Sequence, residues 1–302
     1  MIVDPVQALA GVATASIPAY PAPTILPPEV EIQAVTETGE RTLWVVFVVM
    51  LVSGLVFSGL AWSVPASKRL YHILTAFIVF FAAISYFGMA TGHAVNYHHI
   101  VIPSNDRHNE IRDKHIDRQV YYGRYIDWSI TTPLLLIDLA LVAGLNGANI
   151  LVLIVADLVM ILTGLFAAYG NEGTPQKWGW YTIACIAFLV VIFQLAYNGR
   201  QAALAKGGKV GSFFAAIGGF TLILWLLYPI VWGIADGSRN FSVDQEIIAY
   251  AVLDILAKPV FGLWLLITHK NLPETNVELG GFWAHGFSSE GAIRVGDDEE
   301  GA

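Results

Sequence analysis

Cysteine is almost missing from this chain of 302 residues. Cys185 stands alone, which excludes an intramolecular disulfide and a cysteine-cluster metal site. Charge is scarce too: 13% of residues are charged and 56% are hydrophobic, with a mean hydropathy of +0.60. Soluble domains carry about 25% charged residues, so the composition is that of an integral membrane protein. The sequence has no phosphate-binding glycine loop, no Ser/His/Asp set and no C-x-x-C, so no soluble enzymatic domain is expected. No Lys or Arg precedes Arg41, which argues against a conventional signal peptide. The net charge of −8 gives no basis for nucleic-acid binding, and part of it is the acidic run Asp297 to Glu300. His93, His98, His99, His108 and His115 fall in or beside one polar loop and are expected on its surface rather than around a metal.

Long apolar runs are what the chain does have. Seven segments, near 42–63, 70–94, 119–142, 148–169, 177–197, 210–234 and 244–269, are each long enough for a hydrocarbon core about 30 Å thick. None alternates as a barrel strand would, so an all-α bundle of seven transmembrane helices is expected. Before them, residues 1–40 hold Pro18, Pro21, Pro23, Pro27 and Pro28 and read as an extended or disordered arm rather than a helix. Lys68 and Arg69 follow the first span, and Arg200, Lys206 and Lys209 follow the fifth. The positive-inside rule then puts the N-terminus and arm outside, and the acidic tail 271–302 in the cytoplasm.

Charge inside these spans marks function. Lys258 lies in the run AVLDILAKPVF (Ala251 to Phe261), with Asp254 one helical turn earlier on the same face. A charged group at membrane depth costs several kcal/mol or more and is expected to face the bundle interior. The alternatives are a structural ion pair or a snorkelling lysine, and the apolar Pro259 to Thr268 continues too far for snorkelling. A desolvated lysine is also the side chain that forms Schiff bases with carbonyl compounds. The third span carries Arg124, Asp127, Thr131 and Asp138, spaced by three, four and seven on one stripe. Asp127 and Asp138 are then about 16 Å apart along the axis, at different depths, as a proton relay needs. Arg124 one turn away favours the ionised form of Asp127, whereas leucines flank Asp138 and favour its protonated form. Asp157 in the fourth span reads as an interhelical hydrogen-bonding residue. Trp225, Tyr228, Pro229 and Trp232 form an aromatic stripe on the sixth span, which reads either as packing or as the wall of a flat ligand.

The runs RYIDWSITTPLLLID (Arg124 to Asp138), WLLYPIVW (Trp225 to Trp232) and LDILAK (Leu253 to Lys258) resemble the microbial rhodopsins, seven-helix retinal proteins related to bacteriorhodopsin. The stretches GLFAAYGNEGTPQKWGWYTIACIA and ADGSRNFSVDQEIIAYAVLD are most similar to the fungal branch, near the Leptosphaeria-type proton pumps. The resemblance spans roughly residues 42–270. It implies all-trans retinal on Lys258 as a protonated Schiff base, with Asp127 and Asp254 as counterions. It also implies Asp127 as proton acceptor with Thr131 hydrogen-bonded to it, Arg124 as the extracellular gate, and Asp138 as cytoplasmic donor beside Thr75. Tyr86, Trp128, Thr132, Met160, Gly164, Trp225, Tyr228, Pro229 and Trp232 match its pocket positions, with Trp180 or Tyr181 on the fifth helix in either of two registers. Glu246 and Asp236 match its proton-release positions.

The function expected from the resemblance is a light-driven outward proton pump, an ion transporter of the plasma membrane rather than an enzyme. Asp127 is a carboxylate where chloride pumps carry a neutral residue, and sodium pumps carry Asn and Gln where Asp127 and Thr131 stand. The rival is a photosensory receptor on the same scaffold, against which Asp138 speaks, because a sensor needs no fast donor. Partners are the bilayer and the transported proton, and small-residue helix faces leave room for a homo-oligomer.

Overall fold

The computed structural model describes residues 30–102, 113–171 and 174–277. Seven helices among them are long and apolar enough to cross a membrane. They are α1 (Glu37–Trp62), α2 (Leu70–Ala90), α3 (Tyr122–Ala143), α4 (Gly147–Ala168), α5 (Pro175–Lys206), α6 (Gly208–Gly237) and α7 (Val243–Asn271). The shortest, α2, has 21 residues, and at 1.5 Å per residue it reaches about 31 Å, the thickness of a hydrocarbon core. Successive helices pack side by side, α7 closes the ring against α1, and α3 also contacts α6 across the middle. Their outward faces expose Val45, Val48 and Val52 on α1 and Ile183, Ile186 and Leu189 on α5. An apolar belt of this extent suits lipid rather than water.

Local chemistry sets the helix ends. The Asn146 side chain accepts from the Asn149 N–H at the start of α4, and Ser242 and Gln245 form a reciprocal capping box at the start of α7. Gly144 ends α3 at φ 78°, the left-handed conformation that costs glycine nothing. Lys206 Nζ then reaches the carbonyls of Leu141 and Val142 at 3.1 and 3.3 Å, meeting the negative end of α3. Pro259 lies inside α7 and has no N–H to give the ladder. The helix widens there into a π turn over Leu256–Val260, which contains Lys258.

The expected segments and the helices differ at three places. α5 runs on to Lys206 through a π turn at Gln194–Gly199, so Arg200 and Lys206 are helical rather than in a loop. The expected arm ends early, because Val30–Gln33 is a strand (β1) and α1 starts at Glu37. The prolines of the arm, His108 and the acidic run at 297–300 lie outside the described residues. The polar loop at 95–118 is largely a hairpin, β2 (Asn96–Ile102) against β3 (Lys114–Val120), paired antiparallel from Asn96↔Val120 to Ile102↔Lys114. β1 adds in parallel on the far side of β3, with Val30 opposite His115 and Gln33 opposite Arg118. The period of two in β3 buries Ile116, Arg118 and Val120 against the bundle end and turns His115 and Asp117 outward. His99 meets Asp117 at 2.7 Å and His115 at 3.1 Å on that outer face, as a surface reading expects.

The α4–α5 turn leaves no room for a side chain. A Cβ on Gly170 would lie 2.7 Å from Lys177 Cα and 3.1 Å from the Ala167 carbonyl oxygen. Backbone atoms cannot rotate away, so Gly170→Ala is expected to destabilise the fold by about 1–3 kcal/mol. Thermal loss of the helical circular-dichroism signal in detergent measures it, and an unshifted midpoint would show that the turn relaxes freely.

Candidate functional site

Lys258 is buried, and its Nζ lies 2.6 Å from Asp127 Oδ2 on α3 and 3.1 Å from Asp254 Oδ1 one turn back on α7. Asp254 is held in turn by two phenols: Tyr86 donates to Oδ2 at 2.7 Å and Tyr228 to Oδ1 at 2.8 Å. Both oxygens of Asp254 are therefore engaged. Asp127 is less tied, because its Oδ1 is buried with no hydrogen-bond partner among the described residues. Thr131 donates to the backbone carbonyl of Asp127 at 2.9 Å rather than to its carboxylate, the usual bond from a hydroxyl to the preceding helical turn.

A cavity runs from Lys258 between α3, α4, α5, α6 and α7. Trp128, Thr132 and Leu135 wall it from α3, and Met160 and Gly164 from α4. The stripe expected on the sixth span, Trp225, Tyr228, Pro229 and Trp232, lines it from α6. On α5 the register falls on Tyr181, Cys185 and Phe188, at i, i+4 and i+7. Trp180 is one residue, about 100°, away from that face, and packs instead against Phe166 with ring centroids 5.2 Å apart. Tyr86 also stands behind the wall, reaching the site through Asp254. Tyr125 and Tyr250 were not expected in the wall. Tyr125 accepts a 2.9 Å bond from Trp232 Nε1, and Tyr250 packs edge-on to Trp128.

Polar groups continue toward both ends of the bundle. At the sheet end Arg124 Nη1 donates to Glu246 Oε1 at 2.8 Å, and its guanidinium lies 4.2 Å over the Tyr250 ring. Arg118 of β3 donates to the other oxygen, Glu246 Oε2, at 2.8 Å, and Asp236 lies beyond it. Lys177, also buried, donates to the Asp236 carbonyl at 2.6 Å. Arg118 and Lys177 escape sequence reading because Arg118 lies just before the expected third span and Lys177 is the first residue of the fifth. Only the alternation Ile116, Arg118, Val120 hints that Arg118 points inward.

At the other end Asp138 is fully buried, and neither carboxyl oxygen has a hydrogen-bond partner among the described residues. Thr75 does not bond it: its hydroxyl donates back to the Tyr71 and His72 carbonyls, at 2.8 and 3.1 Å. Asp157 makes the interhelical bond expected of it, accepting from Thr132 Oγ1 at 2.7 Å.

Comparison with known proteins agrees with this arrangement. Residues 38–272 match the family model for bacteriorhodopsin-like proteins. Opsin-1 of Neurospora crassa is 50% identical over 280 residues, 92% of each chain. A light-driven proton pump from Leptosphaeria maculans has a similar structure, with a TM-score of 0.80 at 59% identity over 81% of this chain and 99% of that one. Halorhodopsin, a light-driven chloride pump, gives a TM-score of 0.72 at 29% identity over 81% of this chain and all of that one. The two solved relatives are light-driven ion pumps, transporters rather than enzymes. By sequence, helix order and the match over the whole membrane domain, this chain belongs to the bacteriorhodopsin-like family of rhodopsins.

Proposed function

We propose that this chain is a light-driven outward proton pump carrying all-trans retinal on Lys258. The family binds retinal through a Schiff base to a lysine, and the residues here fit that group. The cavity is walled by flat aromatic faces and is apolar along its length, and its polar end is the Lys258 amine between two carboxylates. Bound retinal supplies light absorption and an isomerisation that re-aims the lysine nitrogen.

The free ammonium of Lys258 stands in for the Schiff-base nitrogen, and the 2.6 Å contact to Asp127 Oδ2 carries the proposal. Asp127 is placed to accept the proton, and its Oδ1 leaves an oxygen open to hold it. Asp254 keeps its charge through the Tyr86 and Tyr228 hydroxyls and serves as the lasting counterion. Arg124, three residues before the acceptor on the same helix, donates to Glu246 and acts as the gate toward the exterior. Asp138 sits eleven residues further on the same helix, buried with no cation or donor bonded to it among the described residues. That environment suits a neutral carboxyl that gives its proton back to the Lys258 nitrogen and refills from the cytoplasm. Ordering acceptor and donor on opposite sides of one nitrogen fixes the direction of transport.

In this reading the sheet and the arm (residues 1–40) face the exterior, the membrane domain covers 41–270, and the tail from 271 is cytoplasmic in the plasma membrane. The halorhodopsin fold is shared, so the fold does not select the ion. Asp127 does, since a carboxylate beside the Schiff base repels an anion.

Illuminating an unbuffered suspension of retinal-supplied cells that express the protein is expected to acidify the medium, and a protonophore is expected to abolish the signal. A coloured, photocycling protein with no pH change would instead support the sensory reading. Lys258→Ala is expected to form no pigment with retinal, and a normally coloured variant would sink the linkage assignment. Asp138→Asn is expected to keep its colour while reprotonation slows on the order of 10²-fold, partly restored by azide. Flash photolysis reads this directly, and an unchanged cycle would remove Asp138 as donor.

A further inference from the structure

The outer face of the sheet gathers three side chains that lie apart in the chain. His99 on β2 stands opposite Asp117 on β3, and His115 precedes Asp117 by two residues on the same face. His99 Nδ1 is 2.7 Å from Asp117 Oδ1, and His99 Nε2 is 3.1 Å from His115 Nδ1. The two imidazole centroids are 5.2 Å apart, with 31° between the ring planes. His99 is exposed, while His115 and Asp117 are half-buried, so a solute can reach both rings. The histidines are 16 residues apart in sequence, and no period along the chain joins them. The sequence therefore puts them on the surface without suggesting a metal, and only the pairing of β2 with β3 brings their nitrogens together.

Asp117 sets the roles of the ring nitrogens. A carboxylate oxygen accepts, so the ring hydrogen of His99 is on Nδ1, and the lone pair on Nε2 faces His115. A carboxylate on the far nitrogen is the arrangement that orients a metal-bound imidazole and raises its basicity. The spacing fits as well. Two nitrogens bound at about 2.0–2.1 Å to a tetrahedral Zn2+ lie about 3.3 Å apart, so a small outward turn of the two rings admits the ion. Val30 and Ile32 of β1 and Val101 of β2 share this face and are exposed, which flanks the pair with apolar side chains. The ammonium of Lys114, at the start of β3, is paired with Glu31 at 2.6 Å.

We propose that His99 and His115 bind a divalent transition-metal ion of the imidazole-preferring class, Zn2+ or Cu2+, with Asp117 as the positioning residue behind His99. No group of three or more ligating side chains stands together among the described residues, so water completes the coordination. The ion takes the place of the hydrogen between the two nitrogens. His99 binds through Nε2 and His115 through Nδ1, the ring hydrogen of His115 moves to its Nε2, and both imidazoles stay neutral. The ion ties β2 to β3, the strand whose inner face carries Arg118 to Glu246. Neither retinal nor light enters this inference, which goes beyond the transport reading and stands or falls separately from it.

The test uses the full chain in lipid nanodiscs, prepared without a histidine tag, stripped with EDTA and kept in the dark. Calorimetric titration with ZnCl2 is expected to show one saturable site per chain. His99→Ala and His115→Ala are each expected to lose that site while keeping the helical circular-dichroism signal. Asp117→Asn keeps both ligands and is expected to weaken binding on the order of tenfold. Added Cu2+ is expected to give an electron paramagnetic resonance spectrum with coupling to two imidazole nitrogens. The proposal is overturned if no saturable site is found, or if Asp117→Asn binds as tightly as the parent. It is equally overturned if the site persists in the double variant His99→Ala/His115→Ala, which would make it an adventitious ion only. Should the variants fail to fold, the Cu2+ spectrum of the unaltered chain decides, and the absence of nitrogen coupling overturns the proposal.

Discussion

A cation at membrane depth is tolerable only where opposite charge and hydrogen-bond acceptors meet it, because the surrounding lipid offers neither. Lys258 meets two carboxylates within 3.1 Å, and much of the bundle follows from keeping them there. Asp254 shares the helix, so its spacing comes free with the turn of α7. Asp127 arrives from α3, which packs between α2 and α4 and also contacts α6. Tyr86 and Tyr228 bring α2 and α6 into the same set of bonds. Four helices converge on one nitrogen.

The asymmetry around that nitrogen is as informative as the pairing. Asp254 has both oxygens hydrogen-bonded, whereas Asp127 retains a buried oxygen with no bond among the described residues. Two carboxylates of the same chemistry are thereby given different surroundings by their neighbours. The same contrast recurs at the sheet end, where Glu246 is held by two arginines and Asp236 by none at hydrogen-bond distance. Asp138 is the extreme case, buried without a partner among the described residues. A polar group left this way costs stability.

The small sheet gives the bundle a second kind of order. Helix packing alone fixes side chains that point into the ring, but it has no means of closing the end. β3 lies across that end and turns Arg118 inward by its period of two, while the histidines on its other face stay outside. The pairing of β1 with β3 also brings a piece of the N-terminal arm into contact with the site through Gln33. A region that reads as a linker thus contributes a side chain to the ion-pair network.

The sequence alone determined the features that depend on neighbours along the chain. Apolar runs of about twenty residues specify helices, and the helical period places Arg124, Asp127, Thr131 and Asp138 on one stripe and Asp254 beside Lys258. The aromatic face of α6 was legible for the same reason. What the tertiary structure decided were the relations between elements. These are the choice of Tyr181 over Trp180, the bonding of Thr75 and Thr131 to backbone instead of carboxyls, and the meeting of Arg118 from the hairpin with Glu246 from α7. A helix face rotates by about 100° per residue, so an uncertainty of one position in register turns a wall residue into a lipid-side one. The strands were hidden because β2 and β3 are short, rich in histidine and charge, and become a sheet only through partners 84 or more residues away for β1 and across a hairpin for β2. Periodicity reaches one turn or one pleat along the chain, and contacts across that distance exist only once the chain has folded.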